Sequence, residues 1–282
     1  MIHTYTSLNG RQLAAVKELV KECETYDKAK TCIQIDNSLN ARKDMPSWFL
    51  EYDKGTLLAV GSVFAPMEDE AEISVCVKTD HRNKGKGTAL LSLVKEELKL
   101  NGITRILLVC DSVSAAGKAF VAAQPDKKKE HSEYTLELGN RDPVSPSRLE
   151  IVGASADDVG AIVRVLVDAF NDDEESTTKY IVSSLQNEHR KGYVGKLNGE
   201  VVCTCFIGYE ENEVSINTVA TLKREQGKGY AKEFLTRVIT EKISGENRIV
   251  INVDDTNERA YNLYKRIGFQ EKETIDYYEL FS

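Results

Sequence analysis

Two similar stretches of sequence, residues 82–90 and 224–232, decide how this chain is organised. They read R-N-K-G-K-G-T-A-L and R-E-Q-G-K-G-Y-A-K, at an offset of 142 residues. Each places glycines among basic residues, and each leads into apolar residues at helical spacing. A single loop of this kind is a common surface turn, whereas two loops in the same context predict a duplicated unit.

The sequence around the two loops is also duplicated. An apolar segment, an acidic turn and a second apolar segment precede each loop, over residues 57–77 and 201–219. A strand-like segment follows each helix, at 106–109 and 249–251, and this offset of 143 implies one residue gained between the second loop and its next strand. Each half therefore has the order strand, glycine-rich turn, helix, strand, which predicts an α/β fold of the α+β type.

The two halves are separated by a segment rich in turn-forming residues. Residues 139–147 contain Gly139, Asn140 and two prolines, which is typical of a linker. A length of 282 residues also suits two domains. We therefore expect an N-terminal domain over residues 1–142 and a C-terminal domain over residues 148–282, with the boundary near residue 145.

The strand before the second loop differs from its counterpart. The apolar residues of 73–77 alternate with period two, but Ser215 and Asn217 stand in their places at offset 142, while Val214 and Ile216 lie out of phase. A β-bulge or a one-residue error in the alignment would each shift the buried face in this way. The sequence predicts one of these two explanations without separating them.

Composition excludes several classes of protein. The chain has a net charge of −8, 29% charged residues and 41% hydrophobic residues, as in ordinary globular domains and unlike collagen-like, disordered or membrane proteins. The negative charge disfavours a nucleic-acid partner. No run is long and apolar enough for a membrane span, and the first residues do not resemble a secretion signal, so we expect a cytoplasmic protein. Six cysteines without a C-x-x-C motif indicate reduced thiols and no metal site.

The basic, glycine-rich loops have the composition of an anion site. A turn between a strand and a helix directs unpaired backbone N–H groups and the positive end of the helix dipole at one point, which binds phosphate. Glycines allow the backbone to approach the anion closely. The spacing matches neither the G-x-x-x-x-G-K-[ST] nor the G-x-G-x-x-G nucleotide loop.

The loops resemble the coenzyme A pyrophosphate loop, [QR]-x-x-G-x-[GA], of the GNAT N-acetyltransferase superfamily. In the second half, residues 257–269 read N-E-R-A-Y-N-L-Y-K-R-I-G-F. This stretch is similar to the family's N-x-x-A-x-x-L-Y-x-x-x-G-F segment at every marked position. The resemblance implies two tandem GNAT folds, each a mixed central sheet flanked by helices, with acetyl-CoA as co-substrate and no metal.

The resemblance also assigns roles to residues. Tyr264 is expected to act as general acid to the departing thiolate, because a phenol with a pKa near 10 is protonated at neutral pH. Residue type alone favours a core tyrosine beside Phe269, and the full motif reverses this in favour of the acid. Asn257 is expected to hydrogen-bond the coenzyme, and residues 219–221 to pair with its pantetheine arm. The expected coenzyme-binding residues are Val219, Ala220, Thr221, Arg224, Gly227, Lys228, Gly229, Tyr230, Ala231, Lys232 and Asn257, with Val77, Arg82, Gly85, Lys86, Gly87 and Thr88 in the first half.

The first half lacks the second motif. At offset 143, Ser114 replaces Asn257 and Val121 replaces Tyr264, while the loop is kept. We therefore expect an N-terminal domain without catalysis, which either binds acyl-CoA or serves only for packing.

The resemblance implies an N-acetyltransferase that transfers the acetyl group of acetyl-CoA to a primary amine of a small molecule or peptide, with no nucleic-acid or membrane partner. The general base stays open among Glu213, the acidic run 172–175 and a water relay. The alternative is a non-catalytic acyl-CoA-binding sensor or scaffold, against which Tyr264 and the complete second motif argue. No motif marks the acceptor pocket or an oligomer interface.

Overall fold

The computed structural model of this chain describes residues 1–139, 147–210, 212–244 and 248–281. These residues form an α/β protein with mixed sheets flanked by helices, which confirms the predicted fold class. The chain divides into two compact units. The first unit comprises Met1–Glu133 and Thr274–Ser282, and the second comprises Tyr134–Glu273.

The first unit is built around a sheet in the order β1-β2-β3-β4-β5. Neighbouring strands are antiparallel except for β4 and β5, which are parallel. The elements are β1 Ile2–Tyr5, α1 Gly10–Asp27, β2 Trp48–Asp53, β3 Thr56–Phe64, β4 Glu70–Val77, α2 Lys86–Leu100, β5 Arg105–Asp111 and α3 Ala115–Ala122.

Two long strands, β6 (Lys127–Leu138) and β12 (Phe269–Leu280), contribute residues to both units. The end of β12 belongs to the first unit because Ile275–Glu279 pair with β5 in antiparallel register, with Tyr277 opposite Val109. The predicted linker covers residues 139–147, of which 140–146 lie outside the described residues. The ranges 1–142 and 148–282 thus stay a prediction, while the compact units follow strand pairing.

The second unit repeats the arrangement of the first. Its sheet has the order β11-β10-β9-β8-β7, in which only β10 and β11 are parallel. The elements are β7 Glu150–Gly153, α4 Val159–Phe170, α5 Glu174–Gln186, β8 Arg190–Leu197, β9 Glu200–Tyr209, β10 Glu213–Thr221, α6 Tyr230–Lys242, β11 Arg248–Asp254 and α7 Glu258–Ile267.

Alternating side chains divide each sheet into two packed faces. In the first unit, Phe49 packs with residues of α2, whereas the adjacent Leu50 packs with residues of α1. In the second unit, Gly195 lies against Phe234 of α6, so closely that a Cβ would come within 2.9 Å of the ring. Arg190, on the opposite face of the same strand, contacts α5. The apolar positions predicted for α6, from Phe234 to Ile239, are buried as expected.

Candidate functional site

The second unit opens between its two parallel strands. β10 and β11 pair only over Glu213–Ile216 and Arg248–Ile251, although the strands continue to Thr221 and Asp254. The register of β10 against β9 shifts between Asn217 and Ala220, and Thr218 adopts a φ of 53°. Val214 and Ile216 precede this bulge, so their phase shift is the one-residue error in the alignment, and the bulge shifts the register only after Asn217. Beyond Ile216, the backbone groups at this edge of β10 do not pair with β11. Unpaired backbone N–H and C=O groups inside a protein need a hydrogen-bond partner, which a ligand can supply.

The glycine-rich loop follows directly at the end of β10. After a turn at Lys223–Glu225, Gly227 and Gly229 have φ angles of 79° and 88°, which side chains other than glycine rarely adopt. Gly229 is the N-cap of α6 and supplies no side-chain cap. The first N–H groups of α6 are therefore available to a ligand, and the positive end of the helix dipole lies at the same place.

The basic side chains of this loop contribute less than expected. Arg224 forms an ion pair with Glu200, and Lys228 lies 2.9 Å from Glu225. Both cations are exposed and already have carboxylate partners, so the capacity to bind an anion depends mainly on backbone N–H groups.

The structure corrects the alignment of the two loops. Arg82 Nε donates to the carbonyl of Val77 at 3.0 Å, and Gln226 Nε2 donates in the same way to Thr221 at 2.8 Å. The equivalent of Arg82 is therefore Gln226, at offset 144, and the predicted match with Arg224 at offset 142 is wrong.

The bulge accounts for one of the two residues by which this alignment was wrong. Glu70 pairs with Arg105 and Glu213 with Arg248, which sets an offset of 143 before the bulge. The bulge adds one residue to β10 and raises the offset between the two halves from 143 to 144 in the loop. At β11 the offset is 143 again, so the second half has one residue fewer than the first between the loop and the next strand. The predicted extra residue in this segment is therefore wrong.

Tyr264 lies on α7, and only 5% of its surface is exposed. Its ring packs edge-on against Phe269, with centroids 6.1 Å apart. Burial, together with Cys205 on β9, raises its pKa above the ordinary value of a phenol. Its hydroxyl forms no hydrogen bond with the described residues, yet it is not among the fully buried oxygens that lack a partner. The hydroxyl thus reaches accessible surface. Because its pKa is raised, it stays protonated at neutral pH.

Asn257 is the N-cap of α7, and its Oδ1 accepts a hydrogen bond from the Ala260 N–H at 3.0 Å. The cap occupies the oxygen and leaves the amide group as a donor. Ser114 caps α3 in the first unit by the same geometry, through Gly117 N–H.

The first unit keeps a cavity at the corresponding place. It has a volume of about 630 Å³ and lies between the ends of β4 and β5 and the starts of α2 and α3. Val77, Gly85, Lys86, Gly87 and Thr88 line it, as does Val121, which stands where the second unit has Tyr264. A Cβ on Gly87 would lie 3.1 Å from the ring of Phe120, so only glycine leaves this wall undisturbed.

The cations of this cavity are also held by carboxylates. Arg82 forms two 2.7 Å hydrogen bonds with Asp27 of α1, and these raise the pKa of Arg82. Lys86 forms an ion pair with Glu51. Arg82 therefore fixes the loop to α1 and the end of β4, while it also lines the cavity, and its role as a coenzyme ligand stays a prediction.

The opposite faces of the two sheets differ. In the first unit, Trp48, Ser62 and Ser74 form one row across β2, β3 and β4. The backbone of Gln34 covers this row, because its N–H donates to Ser62 Oγ at 3.0 Å and its carbonyl accepts from Trp48 Nε1 at 2.9 Å.

The corresponding row of the second unit is Gly192, Phe206 and Asn217. Here Tyr180 of α5 reaches the bulge, with its hydroxyl 3.3 Å from Thr218 Oγ1 and accepting from Arg190 at 3.3 Å. Sequence analysis did not identify Tyr180, Arg190 or Thr218. Apolar residues alternate with polar ones through Val214 and Ile216, and the polar Thr218 that follows was the available signal.

Two of the suggested bases are engaged elsewhere. Glu213 pairs with Arg248 at 2.9 Å at the start of β10, roughly 15 Å along the strand from the bulge at about 3.3 Å per residue. Asp173 caps α5 by accepting from Ser176 N–H at 2.8 Å, which lowers its pKa. Neither carboxylate is placed as a general base.

Comparison with known proteins agrees with this geometry. The model of the Acetyltransferase (GNAT) family matches residues 13–121 and 160–269, which together are more than half of the chain. The chain belongs to the GNAT acetyltransferase family. It has the tandem arrangement, with one GNAT domain matched in each half.

Solved GNAT structures share the fold over the whole chain. A GCN5-related N-acetyltransferase from Sphaerobacter thermophilus is 15% identical, with a TM-score of 0.73 over 99% of this chain and 94% of that one. A tandem GNAT protein from the clavulanic acid biosynthesis pathway is 11% identical, with a TM-score of 0.74 over 99% and 97%. A fungal glucosamine N-acetyltransferase region is 13% identical, with a TM-score of 0.75 over 99% and 38%.

Two further features of this GNAT protein concern its described residues. None of their helices is long and apolar enough to cross a membrane. No group of three or more His, Cys, Asp or Glu side chains among them is arranged to hold a metal ion.

Proposed function

We propose that the second unit transfers the acetyl group of acetyl-CoA to a primary amine of a small-molecule or peptide acceptor. One observation carries the proposal: the opening between β10 and β11 lies at the bulge, directly before an uncapped, glycine-rich helix N-terminus, in the unit that has Tyr264. The first unit combines a similar loop with Val121 at the acid position.

The residues of the second unit fit the coenzyme. The free edge formed by Val219, Ala220 and Thr221 would pair with the amides of its pantetheine arm. The backbone N–H groups of 227–232 would hold its pyrophosphate, in a loop where both glycines have positive φ angles. The side-chain amide of Asn257 remains available as a donor. Bound acetyl-CoA supplies an activated thioester.

Tyr264 has the properties of a proton donor. Its pKa is raised by burial, so the hydroxyl keeps its proton throughout the physiological range. We propose that it donates this proton to the departing thiolate, a contribution of about 10²- to 10⁴-fold in general acid catalysis. A backbone N–H of the bulge would stabilise the oxyanion that develops on the carbonyl. Glu213 and Asp173 are engaged elsewhere, which leaves water and the other carboxylates of the run 172–175 to remove the proton from the amine.

The first unit suits a binding role without transfer. Its cavity keeps the glycine-rich loop and an uncapped α2, but Val121 has no proton to donate. The row formed by Trp48, Ser62 and Ser74 is covered by Gln34 on the face opposite α2. We propose that any coenzyme held in this cavity is bound and not turned over.

Release of free thiol from acetyl-CoA, measured with the full chain over a panel of primary amines, tests the proposal. We expect turnover with at least one amine, and loss of most of that turnover in Tyr264→Phe. Coenzyme binding by calorimetry without turnover of any amine would favour the non-catalytic sensor instead.

A further inference from the structure

Arg190 is a charged side chain with few partners beside the bulge. It is half-buried at the start of β8, where Nη1 donates to the hydroxyl of Tyr180 at 3.3 Å. Among the described residues, no carboxylate forms an ion pair with it. A guanidinium has five N–H donors, so most of its hydrogen-bonding capacity is unused. Partial burial of a cation without an anion is unfavourable, and a ligand can supply the missing charge.

Other arginines of this unit are satisfied by acidic side chains. Arg148 pairs with Glu233 at 3.0 Å, Arg237 with Glu241 at 2.6 Å, and Arg248 with Glu213 at 2.9 Å. Arg259 and Arg266 also have no carboxylate partner among the described residues, but both are exposed on α7. Arg190 differs from them because it is half-buried, on the face of the sheet that carries the bulge.

The row between Arg190 and the bulged strand has only small side chains. Arg190, Gly208 and Ser215 form this row across β8, β9 and β10. Ser215 Oγ occupies the place above Gly208, where a Cβ would lie 2.6 Å from it. The row therefore sets no side chain larger than serine beside the guanidinium.

Tyr180 connects the guanidinium to the bulge. Because its hydroxyl accepts a hydrogen bond from Arg190, its own proton is available to Thr218 Oγ1, 3.3 Å away. Thr218 immediately precedes Val219, where the free edge of β10 begins. Both distances are long for hydrogen bonds, so the pair can adjust when a stronger acceptor arrives.

We propose that Arg190 binds a carboxylate of the acceptor, so that the amine acylated by the second unit belongs to an amino acid or a similar amine that carries a carboxylate. This rests on the proposed function, since it names the substrate class of the same site. A guanidinium matches a carboxylate with two parallel hydrogen bonds. With the carboxylate held there, the amine is directed toward Thr218 and the opening in β10.

Fluorine NMR with N-trifluoroacetyl amino acids as probes tests binding without turnover. Each carboxylate probe is compared with its neutral amide, in the presence of coenzyme A and the full chain. We expect at least one carboxylate to bind about 10-fold or more tightly than its amide. Arg190→Met should remove that preference by weakening only the carboxylate, by about 10- to 100-fold. Arg190→Lys should restore part of it, because the charge returns without the planar fork.

Arg237→Met is the matched control, because it removes one positive charge from the same unit at a side chain that already has a carboxylate partner. It should leave the preference unchanged. Equal binding of acid and amide by the wild type, no binding of any carboxylate, or an unchanged preference in Arg190→Met would each overturn the proposal.

A second arm separates this inference from the proposed function. Amino acids and their decarboxylated amines are compared as acceptors in the thiol-release assay. We expect the carboxylated partner to have the lower KM in the wild type, and Arg190→Met to equalise the pair. If no amine of either kind is acylated, acetyl transfer fails, whereas a carboxylate preference that depends on Arg190 in the NMR experiment still establishes the binding site.

Discussion

The two units start from the same sequence pattern and diverge at one strand. In the first unit, β4 pairs with β3 in continuous register from Glu72 to Val77. In the second, the register of β10 shifts after Asn217, and Thr218 takes a backbone conformation that costs about 1–3 kcal/mol for a residue other than glycine. Both units thus keep a glycine-rich loop, whereas the second combines it with a distorted strand and a buried tyrosine at the position of Val121.

The sheet faces opposite α2 and α6 also differ between the two units: the face is covered in the first unit and carries polar side chains in the second. The first unit covers its row at Trp48 with the backbone of Gln34. The second has Gly192 at the equivalent place and extends Tyr180 and Arg190 toward the bulge. A polar, accessible face beside a strained strand is expected of a reacting site, and a closed face is expected of a unit that only binds.

The largest effect is expected at the loop of the second unit. Gly229→Glu should reduce acetyl-CoA turnover by more than about 100-fold. The new residue must adopt a φ of 88°, and it places a carboxylate at the helix N-terminus that binds the pyrophosphate. Turnover and calorimetric binding, with a thermal melt to confirm folding, measure this. Unchanged coenzyme affinity in a folded variant would show that the loop is not the phosphate site.

A smaller effect is expected at the proton donor. Tyr264→Phe should lower kcat by about 10- to 100-fold with little change in coenzyme affinity, because only the hydroxyl is removed. Tyr261→Phe, one turn earlier on α7 with its hydroxyl directed at Glu271, is the matched control and should behave as the wild type. Equal activity in the two variants would make Tyr264 a core residue.

The dependence of kcat on pH is a second test of Tyr264 as the proton donor. Burial raises the pKa of Tyr264 above its ordinary value of 10, so the donor is protonated at every lower pH. We therefore expect no loss of kcat from this residue between neutral pH and pH 10. A decline in kcat between those values that disappears in Tyr264→Phe would contradict the assignment.

The smallest effect concerns stability in the first unit. Glu72 occupies the position of Ser215, and burial, with the nearby Glu133, raises its pKa to about 8. The folded state thus holds a proton that an unfolded Glu with a pKa of 4.5 releases, and this contribution to stability is lost as the pH rises from about 4.5 to 8. Glu72→Gln should raise the Tm at pH 8, leave it nearly unchanged at pH 4, and leave activity intact. An equal change in Tm at pH 4 and pH 8 would show that the effect of Glu72→Gln does not come from the ionisation of this carboxyl group.

Much of the architecture could be predicted from the sequence. The repeated loops, the apolar spacing of α6 and the motif from Asn257 to Phe269 are local signals, since each depends on residues a few positions apart. They identified the duplicated α/β fold and the candidate acid. The phase difference of Ser215 and Asn217 from the first half also drew attention to β10, although a one-residue alignment error accounts for it.

The remaining features depend on contacts between distant segments. The alignment of Arg82 with Arg224 failed in part because the extra residue of the bulge is visible only in the pairing of β10 with β9. Thr218, a β-branched residue, gives no sign of a positive φ. The contact of Tyr180 with Thr218 joins residues 38 positions apart, and the pairing of Tyr277 with Val109 spans most of the chain. Neither follows a local pattern.

The central claim is that acetyl transfer belongs to the second unit alone, and Gly85→Glu in the full chain tests it most directly. Gly85 is the structural equivalent of Gly229, since both are N-caps with positive φ, so the substitution applies the same change to the other loop. The full chain is needed because Thr274–Ser282 complete the first unit. Steady-state turnover of Gly85→Glu should remain within about three-fold of the wild type. Complete inactivation of a variant that is still folded would contradict the account.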